Sequence, residues 1–236
     1  MGRYLEKKYA VIIPFLPGFG YTKSLPINGY REITEGLETF LEKLNVKNPT
    51  VFGVSLGGML ALSLALRGRV KVKRVVVDSP WWRFEGLGHH FVENFERKLV
   101  TLSPKFIEKI RSKVFIKILL YAIEIMCPKD RRDSLERIMV HWRKRIVNLL
   151  LRIDIRGNIE IFNSFKNTNL GEKLKTINCP VVLIGCDLDD VICPAEVRRL
   201  QEIIGPKARY VELSGLTHSA IVEDPKKLAE VITQKY

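Results

Sequence analysis

Short apolar runs alternate with amphipathic stretches along the first third of the chain and again along its last quarter. Tyr9-Ala-Val-Ile-Ile-Pro14 is a β-branched run closed by a proline, and it predicts a strand. From Tyr30 to Leu44 the residues Ile33, Leu37, Phe40, Leu41 and Leu44 recur on one helical face. A second strand follows at Thr50–Val54, a helix at Leu56–Leu66 and a third strand at Val72–Asp78. The alternation returns with a strand at Pro180–Gly185, a helix at Ala195–Ile204, a strand at Arg209–Leu213 and a last helix from Pro225 to about Gln234. Strands that are apolar on both faces, each separated from the next by a helix, predict a mostly parallel sheet covered by helices on both sides. The fold class is α/β.

Between Ser79 and Asn178 that rhythm stops. Ile107, Ile110, Val114, Ile118 and Leu119 fall near helical spacing, and no strand pattern interrupts them. The expected organisation is therefore a core made of 1–80 and 179–236, with a helical insertion at 81–178. The length of 236 residues suits one domain carrying such an insertion. At 46% hydrophobic and 28% charged residues, the composition excludes disordered and collagen-like chains.

Charge changes the picture only locally. There are 39 Lys and Arg against 26 Asp and Glu, a net +13. The insertion holds 20 basic and 11 acidic residues, so +9 of the excess lies there. Lys129, Arg131 and Arg132 are interleaved with Asp130 and Asp133, as on a solvated helix face. No zinc-finger, RNP or dinucleotide fingerprint accompanies them, so no specific nucleic-acid partner is expected. Peripheral contact with an anionic surface fits the charge better. The cysteines Cys127, Cys179, Cys186 and Cys193 lack metal-ligand spacing and read as reduced thiols of a cytoplasmic protein. No transmembrane segment is predicted, because the longest apolar stretch, around Val114–Met126, is broken by Lys117 and Glu124.

The candidate chemistry starts at Gly53-Val54-Ser55-Leu56-Gly57, followed by Gly58, where a strand turns into a helix. Such a turn lifts a serine Oγ above the sheet, and small flanking residues let strand and helix approach. The Leu56 amide, at the helix start, is placed to hold an oxyanion. A serine nucleophile needs a base. Of His89, His90, His141 and His218, only His218 lies in a loop after a core strand, at the edge where ligands bind in open α/β sheets. The acid is expected after the preceding strand, where Asp187, Asp189 and Asp190 stand together. Trp81 and Trp82 follow the third strand at the same edge. They read either as lining for a substrate pocket or as anchors for the insertion.

These motifs resemble the α/β-hydrolase superfamily of lid-bearing serine hydrolases. Gly53–Gly58 is similar to its nucleophile elbow, and Pro14-Phe15-Leu16-Pro17-Gly18-Phe19-Gly20 with Ser24 to the loop after its fourth strand. Thr217-His218 with Glu223-Asp224-Pro225 resembles its histidine loop and final helix. Asp190-x-x-x-Pro194 resembles its acid loop, so the resemblance implies Asp190 as the acid, with Asp187 second. It implies a triad of Ser55, Asp190 and His218, a small-molecule acyl substrate, an insertion acting as lid, and no cofactor or metal.

Two positions depart from the family pattern. Phe15 stands where an acidic residue is usual. Family members also carry, ahead of the segment that Met1–Lys8 resembles, a strand ending in a His-Gly oxyanion loop. The expectation is thus an N-terminally incomplete core. The missing strand belongs between Tyr9–Pro14 and Thr50–Val54, and loss of one oxyanion donor would lower turnover by ~10²–10³. Esterase, thioesterase, acyltransferase and carbon–carbon bond hydrolase remain open. So does a catalytically silent binding protein.

Overall fold

The computed structural model describes residues 1–23, 25, 27–83, 168–189 and 191–234. Contacts divide the chain into two units, 1–12 with 27–89 and 160–236, and 13–26 with 90–159. The expected lid helices fall within 84–167, outside the described residues.

The first unit opens with a single helical turn, α1 (Gly2–Leu5), and continues with α2 (Tyr30–Lys43). β1 (Thr50–Val54), α3 (Leu56–Arg67) and β2 (Arg74–Asp78) follow. After a 3-10 segment at Gly171–Thr176 come β3 (Val181–Cys186), α4 (Pro194–Ile204) and β4 (Ala208–Leu213). The short α5 (Ala220–Glu223) and α6 (Pro225–Thr233) complete it. The strands form one parallel sheet in the order β1-β2-β3-β4. Every residue of β3 is buried, and Val75, Val76 and Val77 of β2 are fully covered. A parallel sheet needs such strands because crossover helices lie on both of its faces. Side chains alternate across the sheet, so Val76, Val182, Ile184 and Leu213 share a cluster with Leu228, Val231 and Ile232 of α6. α3 packs against β1 and β2, and α4 against β3 and β4.

Two expectations change. Tyr9–Pro14 joins no sheet among the described residues, and Val11, Ile12 and Ile13 are 38%, 44% and 72% exposed. A strand persists only where a neighbouring strand takes up its N–H and C=O groups, and among the described residues none pairs with this segment. Among the described residues β1 pairs with β2 alone and stands at one end of the strand order. The second change concerns α2. Its fully buried residues are Ile33, Thr34 and Glu38, whereas Leu37, Phe40 and Leu41 are half-buried and Leu44 is exposed. The face is set by polar partners on α3. Thr34 Oγ1 bonds Ser63 Oγ at 3.2 Å, and Arg67 Nε bonds both oxygens of Glu38 at 3.1 Å.

Arg67 also reaches Glu35 at 3.0 Å. Glu38 is fully buried, so losing its guanidinium strands a carboxylate away from water. Arg67→Met is expected to cost about 2–3 kcal/mol in urea unfolding, a discount on the fully buried case because Arg67 is partly exposed. A loss under about 0.5 kcal/mol would mean that Glu38 finds another donor.

In the second unit, Phe15 and Tyr21 meet edge to face at 5.4 Å, and Thr22 Oγ1 donates to Phe15 O at 2.9 Å. Among the described residues no helix is long and apolar enough to cross a membrane.

Candidate active site

Ser55 joins β1 directly to α3 and adopts φ 53°, ψ −116°. A non-glycine residue in that region is strained, and it persists only when its surroundings over-determine it. They do so here. Ser55 N–H donates to Asp78 O at 2.9 Å on the neighbouring strand, while Ser55 O accepts from Met59 N at 3.1 Å and Trp81 N at 3.3 Å. The flanking glycines have steric reasons. A Cβ on Gly53 would lie 2.1 Å from Gly57 O, and one on Gly58 would lie 2.8 Å from the Pro80 side chain. The strand–helix junction closes only because both lack side chains. Leu56 begins α3, so its amide is one of the first-turn donors that a helix cannot satisfy internally.

His218 sits in the loop between β4 and α5, and three contacts fasten that loop. Thr217 N and Oγ1 each donate to Glu223 at 2.8 Å, and Ser219 N donates to Thr217 Oγ1 at 3.2 Å. His218 Nδ1 lies 2.8 Å from Asp189 Oδ2. The Asp189 side chain is fully covered and that of His218 is 21% exposed. Asp189 Oδ1 in turn accepts the amides of Val191 at 2.9 Å and Ile192 at 2.8 Å, which aims its other oxygen at the imidazole. Burial pushes the Asp189 pKa up. The hydrogen bond and charge of His218, with Ser79 and the Ile192 amide, outweigh that and hold it below the usual carboxylate value. A carboxylate held low in this way stabilises the fold above its unfolded pKa. That contribution is lost as pH falls through the folded value.

Among the described residues the carboxylate set against His218 is Asp189, not Asp187. Asp190 lies outside the described residues. Asp187 accepts the Gly215 amide at 2.7 Å and ties the two loops together instead. Three acids within four positions cannot be ranked by spacing, because the choice depends on which one the turn caps inward. The signal available was the pair of amides two and three residues beyond Asp189, an Asx-type turn.

Ser55 and His218 leave the carboxyl ends of β1 and β4, which in a parallel sheet is the same end of the molecule. Among the described residues no hydrogen bond joins Ser55 Oγ to His218. Trp81 and Trp82 are 8% and 5% exposed. The Trp82 ring lies 4.9 Å from the Arg83 guanidinium and 6.0 Å from that of Arg199, and Arg83 makes a paired bond to Glu196 at 2.9 and 3.0 Å. Those contacts pack the Trp82 ring against two guanidinium groups. For Trp81, the peptide contact to Ser55 O leaves both readings standing.

Comparison with known proteins bears on the fold. The family model for the alpha/beta hydrolase fold matches residues 1–117. The magnesium-chelatase 30 kDa subunit of Rhodobacter capsulatus is 40% identical over 101 residues, 42% of this chain and 35% of that protein. The 2-succinyl-6-hydroxy-2,4-cyclohexadiene-1-carboxylate synthase of Shigella sonnei is 29% identical over 90 residues, 38% of this chain and 32% of that protein. The match thus spans about a third of the length of these curated relatives. Among solved structures, a thermophilic esterase from Thermogutta terrifontis, with malate bound, superposes with a TM-score of 0.74 at 17% identity, covering 97% of this chain and 79% of that one. By its match to the family model and by its fold, the chain belongs to the alpha/beta hydrolase superfamily.

Proposed function

We propose that this chain is a serine hydrolase acting on a carboxylic ester or related acyl bond. The observation that carries the reading is the partly buried His218–Asp189 pair, 2.8 Å apart, at the sheet end where Ser55 stands on its strained turn. Ser55 Oγ attacks the acyl carbon, and His218 Nε2 takes the proton as the bond forms. Asp189 holds Nδ1, which fixes the tautomer and stabilises the imidazolium. The Leu56 amide donates to the oxyanion. His218 then returns the proton to the leaving alcohol or thiol, and a water activated by the same imidazole releases the acid. None of these steps requires a cofactor.

The named relatives include a chelatase subunit and a synthase as well as an esterase. The fold alone therefore does not choose among ester, thioester and carbon–carbon bond cleavage. What favours acyl transfer is the residue set, with a nucleophile, a base and its orienting acid each in the role that chemistry requires. A fluorophosphonate probe tests it, because it phosphonylates only a serine whose proton is being removed. The expected result is one adduct per chain, mapped by mass spectrometry to Ser55. A folded chain that takes no label would instead be a hydrolase-like binding protein. A panel of chromogenic esters of rising acyl length then defines the substrate class.

A further inference from the structure

The loop between residues 13 and 25 presents apolar side chains that the chemistry above does not use. Ile13, Phe15, Tyr21 and Leu25 are 72%, 46%, 75% and 57% exposed. Single exposed apolar residues are ordinary, but several on one short loop mark an interaction surface. The loop is also built rather than slack. Phe15 and Tyr21 meet edge to face, and the Phe15 ring fills the space beside Gly20, where a Cβ would lie 2.2 Å from Phe15 Cδ1. Gly18 and Gly20 turn the chain at φ 78° and 59°, values that favour glycine. The aromatic pair is thus arranged before any partner arrives, which lowers the ordering cost of binding.

Two further features choose the occupant. The first is that the loop pairs much of its own backbone. Phe19 N–H donates to Leu16 O at 2.9 Å, Thr22 N–H to Phe19 O at 3.1 Å and Thr22 Oγ1 to Phe15 O at 2.9 Å. Pro14 and Pro17 bring no N–H at all. Polar groups paired internally lose less when a loop leaves water for a headgroup layer. The second is charge. From Lys7 to Arg31 the chain has no Asp or Glu, and its cations there, Lys7, Lys8, Lys23 and Arg31, are all exposed. Apolar and aromatic side chains with cations and no carboxylate complement anionic headgroups above acyl chains, with tyrosine suited to the interface. An apolar protein groove would use the side chains but not the one-signed charge.

We propose that this loop is a membrane-docking surface. Ile13, Phe15, Tyr21 and Leu25 enter the headgroup boundary of a bilayer that carries anionic phospholipid, and Lys23 pairs with the lipid phosphates. The contact is reversible, because a few apolar side chains and a few cations hold a chain at an interface only together. Binding therefore needs anionic lipid and weakens as salt screens the charges. The segment 81–178 holds +9 of the net charge and offers a second, purely electrostatic route to such a surface. The apolar side chains of the loop separate the two routes. Docking is independent of the serine-hydrolase reading, since Ser55 and His218 take no part in it.

The test is flotation of the intact chain with vesicles of phosphatidylcholine alone and of phosphatidylcholine with about one-third phosphatidylglycerol. The wild-type chain is expected to float with the anionic vesicles and to bind the neutral ones at least about tenfold more weakly. Ile13→Ser combined with Leu25→Ser removes two exposed apolar side chains and no cation. It is expected to weaken binding to the anionic vesicles by about tenfold or more. Lys23→Glu reverses one charge and is expected to weaken it by about tenfold as well, a loss that shrinks at high salt. Circular dichroism checks that each variant is folded, and should the double variant fail to fold, Lys23→Glu decides alone. A wild-type chain that stays in the aqueous fraction, or folded variants that bind as tightly as it does, would overturn the proposal. Self-association lost in the double variant, without vesicle binding, would assign the surface to a second copy of the chain and overturn it equally. Ser55→Ala is expected to float like the wild type, so a chain without esterase activity answers the same question.

Discussion

Ser55→Ala is expected to lower kcat for a chromogenic ester by about 10⁴- to 10⁶-fold while leaving KM within about threefold. The substitution removes the only atom that forms the covalent bond. It leaves the Leu56 amide, the His218–Asp189 pair and the surrounding walls in place, so binding survives while chemistry does not. The fold should tolerate it, because the bonds to Asp78, Met59 and Trp81 that hold this turn run through the Ser55 backbone N–H and C=O. Alanine keeps all of them. Steady-state kinetics together with circular dichroism separate loss of the nucleophile from loss of the protein. Activity retained within about tenfold of wild type would remove Ser55 from the mechanism.

The second large effect is expected at Asp189. Asp189→Asn keeps the shape of the side chain but presents either an amide N–H or a carbonyl where His218 needs an anion, so the imidazole loses both its tautomer and its charge partner. A fall in kcat of about 10⁴-fold is the scale for that change. Asp187→Asn and Asp190→Asn are the controls, each expected to fall by less than about tenfold. Asp187 serves Gly215 in the loop rather than the imidazole. Equal losses at Asp189 and Asp190 would show that the pair seen at 2.8 Å is not the working one. A loss at Asp190 alone would restore the assignment suggested by the Asp190-x-x-x-Pro194 spacing.

The two variants probe different kinds of information. Ser55 was legible because its requirements are local. The strand, the turn and the helix are contiguous, and the glycines at 53 and 58 report steric contacts confined to Gly57 and Pro80. His218 was legible by elimination among four histidines and by its place after the last strand. Choosing among Asp187, Asp189 and Asp190 was not possible in the same way. All three share a loop, and the deciding contact is made to a residue 29 positions away.

The same division runs through the fold. Apolar runs and helical spacing are enough to place β1 through β4 and the helices between them, since each pattern reports one element's own faces. The parallel sheet follows from strands that are apolar on both sides. Tyr9–Pro14 shows where this reasoning stops, because its β-branched run has the composition of a strand but no pairing strand among the described residues. The buried face of α2 shows the same limit, with Glu38 drawn inward by Arg67 while Leu44 stays exposed. By itself, the chain determined its elements, their order and the strand–helix turn that carries Ser55, all of which depend on neighbours in sequence. Only the tertiary structure decided which acid meets His218, which carboxyl is shut away from water and which apolar run stays unpaired, because each depends on groups that only folding brings together.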